Sequence, residues 1–179
     1  MSDVAGDHAA MVRCVRGRGA GFDERLVAAL LDGTAGLRLV QPLTWREGPT
    51  CVYAIAALAS SSGRALDLRA QVCEVSWSVS ILDRVSGTRL VSLCGTRGHL
   101  NRRDGRRWPG AHLHVWTAEY GDNDARAVSW RVPDAVSRET YRDVVEGFCE
   151  ALLITRDAKY GWTEPPQETP ATTTDGSVT

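Results

Sequence analysis

Three of the chain's four histidines, His99, His112 and His114, lie within sixteen residues, beside a cluster of arginines. Imidazole titrates near neutrality, so two histidines can divide the roles of general acid and general base. Arginines next to them can bind phosphate and stabilise charge in a transition state. This combination predicts a metal-independent ribonuclease. We expect His112 and His114 to form the acid–base pair and His99 to assist.

The same window supplies residues for substrate binding. We expect three arginines to bind phosphate, one amide to position the substrate, and two indole rings to stack on a base. Two acidic residues next to the histidines are expected to orient them. These are Arg97, Arg102 and Arg103, then Asn101, then Trp108 and Trp116, and finally Asp104 and Glu119. Under this hypothesis the substrate is RNA and no cofactor is needed.

The same histidines also support a metal-site hypothesis. An H-x-H pair on a strand directs two imidazoles at one ion, so His99, His112 and His114 could bind a divalent metal such as zinc. The run "HLHVWTAE", which ends at Glu119, partly matches the first cupin motif. However, no histidine follows His114, and the neighbouring arginines disfavour a cation.

Two more hypotheses stay open for this window. "GAHLHVWT" is similar to the H-x-H-x-H run of histidine-triad nucleotide hydrolases, with Gly110 or Trp116 in place of one histidine. A non-enzymatic protein could instead bind a partner through the arginine-rich loop and Trp108.

The strand predicted for "AHLHVWT" decides how the histidines are placed. Side chains alternate between the two faces of a strand, so His112, His114 and Trp116 share one face, and Leu113 and Val115 share the other. We expect the aliphatic face to join the core and the histidines to stand on an exposed face, with Cβ atoms about 7 Å apart. Ligand atoms near 4 Å from each other with an open vertex would favour a metal. Wider spacing beside a basic cleft would favour acid–base catalysis, and sealed packing would favour a structural role.

The remaining elements predict an α+β fold. It has a mainly antiparallel sheet, with an N-terminal helix and a longer C-terminal helix packed on one face. The N-terminal helix is expected in "FDERLVAALLDG" and the C-terminal helix in "PDAVSRETYRDVVEGFCEALLI", with Ser137 as its N-cap. Strands are expected in "GLRLVQPLTW", "CVYAIAALA", "EVSWSVSIL", "TRLVSLCG", "AHLHVWT" and "ARAVSWRV". For "CVYAIAALA" a helix is the alternative. We expect residues 96–110 to form a loop with a tight turn at Asp104-Gly105.

Composition indicates the domain organisation and the cellular compartment. We expect a flexible leader over residues 1–21, one domain over 22–162 and a disordered Pro/Thr-rich tail over 163–179. A net charge of −1 excludes a global electrostatic argument for binding nucleic acid. The five widely spaced cysteines form no C-x-x-C pair, so we expect buried thiols in a reducing compartment. With no signal sequence or membrane span recognised, we expect a cytoplasmic protein with no membrane partner.

The histidine window also carries an ordered set of motifs. It resembles a family of small proteins from bacteria, archaea and phages with the patterns H-x-N-x-D-G, P-x-H-x-H-x-aromatic and E-G-Y-G-D. The matching residues are His99, Asn101, Asp104, Gly105, Pro109, His112, His114, Trp116, Glu119, Tyr120, Gly121 and Asp122. The similarity spans residues 81–154, with one extra residue before Asp104, Ala111 before the paired histidines, and no glycine before Tyr120. It implies that the expected ribonuclease is a toxin-like enzyme, or that the chain is a host-interaction protein of phages and mobile elements, in a family without an assigned function. The partner implied is a small cognate regulator or a host protein.

Overall fold

The computed structural model describes residues 24–101 and 103–166, with only the backbone described at residues 96–99. Within these ranges the chain forms nine strands and two helices. In chain order they are α1 (Glu24–Leu31), β1 (Arg38–Leu39), β2 (Thr44–Glu47), β3 (Cys51–Ala59), β4 (Leu66–Cys73), β5 (Trp77–Asp83), β6 (Arg89–Leu100), β7 (Arg107–Thr117), β8 (Gly121–Arg126), α2 (Tyr141–Ala151) and β9 (Thr155–Arg156). The leader expected over residues 1–21 lies outside the described residues.

The strands form one mixed sheet in the order β8-β7-β6-β5-β4-β3-β1-β9. Every pair is antiparallel except β1 with β9, which is parallel. The sequence predicts one irregular strand around Pro42, and the structure divides this stretch into β1 and β2, both paired with β3. Because proline lacks a backbone N–H, it interrupts a hydrogen-bonded ladder.

Alternation of side chains gives the sheet two different faces. On the core face, apolar residues of neighbouring strands lie opposite each other and are almost fully buried. They include Ala70 and Val72 of β4, Val79 and Ile81 of β5, Val91 and Leu93 of β6, and Leu113 and Val115 of β7. Both helices bury their apolar residues in the same cluster, for example Leu30 of α1 and Phe148 of α2.

Tyr141, the first residue of α2, holds that helix against the middle of the sheet. Its buried hydroxyl donates a hydrogen bond to the carbonyl of Ser78 in β5 and accepts one from the N–H of Gln71 in β4, at 2.7 Å. Burial raises the pKa of Tyr141, so the hydroxyl stays protonated. One side chain therefore connects α2 to the backbones of two strands.

The predicted α+β fold with a longer C-terminal helix is wrong. The described chain is mostly a large mixed sheet, and its helices span 8 and 11 residues. Ser137 does not cap α2, because Ser137 and Thr140 hydrogen-bond to each other in a turn and the helix begins at Tyr141. At the other end, Leu153 has a φ of 50°, a left-handed conformation that ends the helix.

Strand boundaries also differ from the predictions. β4 was not predicted, and the strand expected at residues 125–132 is instead β8, which covers most of the expected turn. The loop expected at 96–110 is largely a β6–β7 hairpin. Its tight turn is confirmed: Gly105 has a φ of +67°, and Asp104 Oδ1 accepts a hydrogen bond from the N–H of Arg106 at 2.9 Å. The hairpin extends beyond its partner strands, so the burial pattern that marks central strands is missing there.

The cysteines correct another expectation. Cys51 and Cys73 form a disulfide, whereas all five cysteines were expected to be thiols. The two residues are directly opposite each other on β3 and β4, with Cα atoms 4.2 Å apart, a pairing that their separation of 22 residues does not reveal. Cys94 and Cys149 are free.

The described C-terminal segment reaches back to the sheet. The hydroxyl of Thr163 donates to the carbonyl of Leu43 at 2.9 Å, and its own carbonyl accepts from the Trp45 indole at 2.6 Å. Residues 167–179 of the expected tail lie outside the described residues. Neither helix of the described chain has the length and apolar run that a membrane span requires.

Candidate metal centre

The histidines belong to a row of polar side chains on the second face of the sheet. The register places Cys94 of β6 opposite His112 of β7, and Ser92 opposite His114. Serines of β5 continue the rows, with Ser78 opposite Cys94 and Ser80 opposite Ser92. We name as the polar face the residues Gln71, Cys73, Ser78, Ser80, Ser92, Cys94, His112 and His114. The ladder that holds β6 against β7 thus brings one thiol and two imidazoles together.

Three potential ligand atoms converge on this face. The Nε2 atoms of His112 and His114 are 3.0 Å apart, and Cys94 Sγ is 3.4 Å from His112 Nε2. All three ligand atoms lie within 4.8 Å of one another. The Nδ1 of His112 lies 2.8 Å from the carbonyl oxygen of Gly110. Because a carbonyl only accepts, Nδ1 carries the hydrogen, and the lone pair of Nε2 faces the other two ligand atoms.

This orientation of His112 is the one that metal-binding histidines usually have, with the second ring nitrogen donating to a backbone carbonyl. Two of the three distances also fit. For a tetrahedral zinc ion, bond lengths of about 2.05 Å to nitrogen and 2.3 Å to sulfur put two nitrogens about 3.3 Å apart, and nitrogen and sulfur about 3.6 Å apart. The observed 3.0 Å and 3.4 Å need adjustments of only a few tenths of an ångström. The third pair, Cys94 Sγ and His114 Nε2, lies within 4.8 Å, and these two atoms would approach each other when the metal binds.

The histidines lie on the face opposite Leu113 and Val115, as predicted, but this face is not exposed. His112 is 0% exposed, His114 6% and Cys94 7%. The two imidazole rings are in edge contact with centroids 4.8 Å apart. The sequence of one strand does not reveal this burial, because it depends on parts of the chain distant in sequence.

Burial also sets the protonation of the thiol. It raises the pKa of Cys94 to about 11, although the positive charge of Arg89 acts in the opposite direction. Cys94 is therefore a thiol at neutral pH without a metal, and it would become a ligand by losing its proton to solvent when a metal binds.

A pocket of about 320 Å³ opens at these three residues. Its lining comes from five adjacent strands or the turns next to them, and apart from the three residues it includes the polar side chains of Gln71, Ser76, Ser78, Arg89 and Asn123. Cys73 of the disulfide also lines it. The candidate ligands are thus buried at the base of a polar pocket, which gives a bound ion access to a small molecule.

A register shift brings Arg89 to this pocket. Ile81 pairs with Val91, whereas the next residue, Leu82, pairs with Arg89, so β6 contains one extra residue at Leu90. In a regular ladder Arg89 would share the core face with Val91. The bulge turns it to the polar face, and bulges frequently redirect a side chain in this way beside a functional site.

Several predicted site residues are described with partners in the hairpin or in β8. Asn101 is 1% exposed, and its amide exchanges hydrogen bonds with the backbone of Ala125. Arg103 forms an ion pair with Asp124. The guanidinium of Arg106 lies 4.6 Å from the ring centroid of Trp108. The contacts of Asn101 and Arg103 fasten the hairpin to β8, and that of Arg106 lies within the hairpin.

The other predicted residues lie around the turns. Asp104 forms the hairpin turn, and Trp116 is half-buried against the core. Glu119 is exposed, and its hydrogen bond with Tyr120 raises the pKa of that tyrosine. Glu119 therefore interacts with its neighbour in the turn.

Three further predictions fall where side chains are not described. The side chains of Arg97 and His99 are not described, and Arg102 lies outside the described residues. The backbone of His99 pairs with Trp108, four residues before His112, which is about 13 Å along the strand. Cys94, expected only as a buried thiol, lies opposite His112 instead. Aligning "LVSLCG" with "AHLHVW" across a hairpin is the signal that would have found it.

Comparisons of the chain with protein-family models, curated proteins and solved structures give no match.

Proposed function

We propose that this protein is a zinc-dependent enzyme in which Cys94, His112 and His114 bind the metal. The observation that carries the proposal is the convergence of three buried ligand atoms, two of them 3.0 Å apart, at the base of a polar pocket. Zinc sites with three protein ligands leave a fourth position for water or substrate and are typical of catalysis. A bound zinc ion would supply a Lewis acid and an activated water.

The chain's own residues would prepare this chemistry. The carbonyl of Gly110 holds the ring of His112 in one tautomer and one orientation. The ladder between β6 and β7 places the ligands on rigid strands, and rigid placement preserves a functional geometry better than a loop does. The buried position keeps bulk water away from the base of the pocket, which strengthens electrostatic interactions there.

The same geometry fits the metal-independent ribonuclease less well. That reaction needs an acid and a base on opposite sides of a phosphodiester, but Nε2 atoms at 3.0 Å are in direct hydrogen-bond contact. Arg103, expected to bind phosphate, is paired with Asp124. RNA, a regulator and a host protein remain predicted partners, and cleavage of RNA by the purified protein in EDTA is the test of the ribonuclease hypothesis.

The test of the metal centre is the metal content of the purified full-length protein, measured by mass spectrometry after dialysis against zinc. We expect one equivalent in the wild type and none in Cys94→Ala, His112→Ala or His114→Ala. Cobalt substitution should give the thiolate-to-metal charge-transfer band expected when Cys94 is a ligand, with intense d–d transitions of a tetrahedral site.

Cys149→Ala is the matched control. Cys149 is also a free cysteine, and burial raises the pKa of its thiol to about 12, but it lies on α2. The Cys149→Ala variant should retain both the zinc and the charge-transfer band. A wild-type protein without stoichiometric metal, or a cobalt spectrum that persists in Cys94→Ala, would contradict the proposal.

A further inference from the structure

Charge in the pocket indicates which ligands it can accept. This inference rests on the proposed zinc centre. A zinc ion, one thiolate and two neutral imidazoles have a combined charge of +1. Arg89 adds a positive charge, and its ion pair with Asp122 at 2.6 Å balances it. A loaded pocket is therefore electropositive, and an anion is the complementary ligand.

Arg89 is placed to take part in binding. It lines the pocket together with the candidate metal ligands, and its charge acts on Cys94. Its Nε and Nη2 both donate to the same oxygen, Oδ2 of Asp122, at 2.9 Å and 2.6 Å. No described residue accepts a hydrogen bond from its Nη1. The guanidinium thus retains donor capacity while Asp122 fixes its position.

The rest of the lining supports the same ligand chemistry. Gln71, Ser76, Ser78 and Asn123 are neutral side chains that can donate hydrogen bonds, and none of the described lining residues is acidic. The volume of about 320 Å³ lies at the lower end of the range for ligand pockets, which indicates a small molecule.

We propose that the pocket binds the oxyanion group of a small ligand, a carboxylate or a phosphate, between the metal position and the guanidinium of Arg89. Arginine suits this role because its planar donors match both kinds of oxyanion. The hydroxyl and amide groups of the lining would contact the remainder of the ligand.

The test uses zinc-loaded full-length protein titrated calorimetrically with inorganic phosphate and, in a parallel arm, with acetate. We expect Arg89→Gln to weaken binding of the preferred anion by about tenfold or more, since a charge-assisted hydrogen bond is lost. Arg89→Lys should recover part of the affinity. Arg84→Gln is the control, because Arg84 pairs with Asp67 and does not line the pocket. The arm with the larger affinity identifies carboxylate or phosphate as the preferred group.

The variant Asp122→Asn should change anion affinity in the direction opposite to Arg89→Gln. Releasing Arg89 from its partner should strengthen anion binding by up to about fivefold, the range of a partly exposed ion pair. A folding defect would weaken binding in both variants, whereas the inference predicts changes of opposite sign. Weaker binding in an Asp122→Asn protein that retains its zinc and its Tm would therefore overturn the inference. Unchanged affinity in Arg89→Gln would also overturn it.

Zinc content separates this inference from the proposed function. Each Arg89 variant should retain one equivalent of zinc. If they retain zinc and anion affinity is unchanged, the anion site fails and the zinc centre stands. If the wild type binds no zinc but binds phosphate through Arg89, the zinc centre fails and the anion site stands.

Discussion

Strands β6 and β7 bury two surfaces of opposite chemistry to nearly the same extent. On the core face, Leu93 is 0% exposed and Leu113 is 6% exposed, whereas on the polar face His112 is 0% and His114 is 6% exposed. Burial of the apolar surface stabilises the fold by about 25 cal/mol per Å². Burial of polar groups costs free energy unless each finds a partner.

Several groups of the polar face meet that requirement through specific contacts. The hydroxyls of Ser80 and Ser92 are 2.7 Å apart, and His112 bonds to Gly110. These contacts offset desolvation without adding the gain of an apolar core. The comparison shows that the core face of one hairpin stabilises the fold, while its polar face, buried to the same extent, is available for binding. The following variants test this division of roles.

The largest effect is expected from Leu93→Ala on the core face. Removing a fully buried leucine side chain should lower the free energy of unfolding by about 2 to 5 kcal/mol, through lost burial and the cavity left behind. Urea denaturation in EDTA measures it. Cys94→Ala, at the adjacent position on the polar face, should cost much less under the same conditions. Equal losses would break the comparison.

The disulfide contributes the next effect, from the polar side of β3 and β4. Loss of the Cys51–Cys73 bond should lower the free energy of unfolding by about 3 kcal/mol, because the bond closes a loop of 22 residues in the unfolded chain. Urea denaturation with and without a phosphine reductant measures the loss. The double variant Cys51→Ala/Cys73→Ala should be insensitive to the reductant.

Reduction should leave zinc affinity unchanged, because the register of β6 and β7 positions the ligands. A metal that is lost together with the disulfide would show that the whole polar face acts as one unit.

Zinc should stabilise the folded state through the polar face alone. At a free concentration of 100 times its Kd, a ligand adds about 2.7 kcal/mol, which for a chain of this length raises the Tm by about 5 to 10 °C. Differential scanning fluorimetry with zinc and with EDTA gives the shift. It should vanish in His112→Ala and persist in Leu93→Ala, whose Tm is lower overall. A shift that persists in His112→Ala would assign the zinc to other residues.

The smallest effect concerns Asp83, a buried carboxylate at the end of β5. Burial alone would raise its pKa, but hydrogen bonds from Arg64 and Ser86 outweigh this, so the pKa is lowered. A group with a depressed folded pKa stabilises the fold above its unfolded pKa, and this contribution is lost as pH falls through the folded pKa. Asp83→Asn should cost about 1 to 2 kcal/mol at pH 7 and progressively less towards pH 3. Urea midpoints across this range measure the dependence, and a constant difference would contradict it.

Local sequence patterns could predict some of these features. The run from Cys51 to Ala59 is one strand with the predicted limits, and Asp104-Gly105 forms the predicted turn. The placement of His112 and Leu113 on opposite faces of β7 also follows from the alternation of side chains along a strand. Each of these depends on neighbouring residues alone.

The features that could not be predicted depend on pairing between distant strands. The opposition of Cys94 and His112, the disulfide of Cys51 with Cys73, and the bulge that turns Arg89 are all set by register. Register is fixed by the whole sheet and shifts every side chain to the other face when it slips by one residue. Alternation within one strand predicted exposed histidines, whereas the whole structure buries them.

The hydroxyl of Tyr141 has a consequence for the motions of the molecule. The amide of Gln71 is protected from solvent by a phenol seventy residues away in the sequence. Its hydrogen exchange should therefore follow local opening of α2, while the adjacent amides of β4 should exchange only when the sheet opens. Exchange at this single amide therefore distinguishes two motions, undocking of α2 and separation of β4 from its neighbours. The first motion occurs at Gln71, the residue whose side chain lines the pocket.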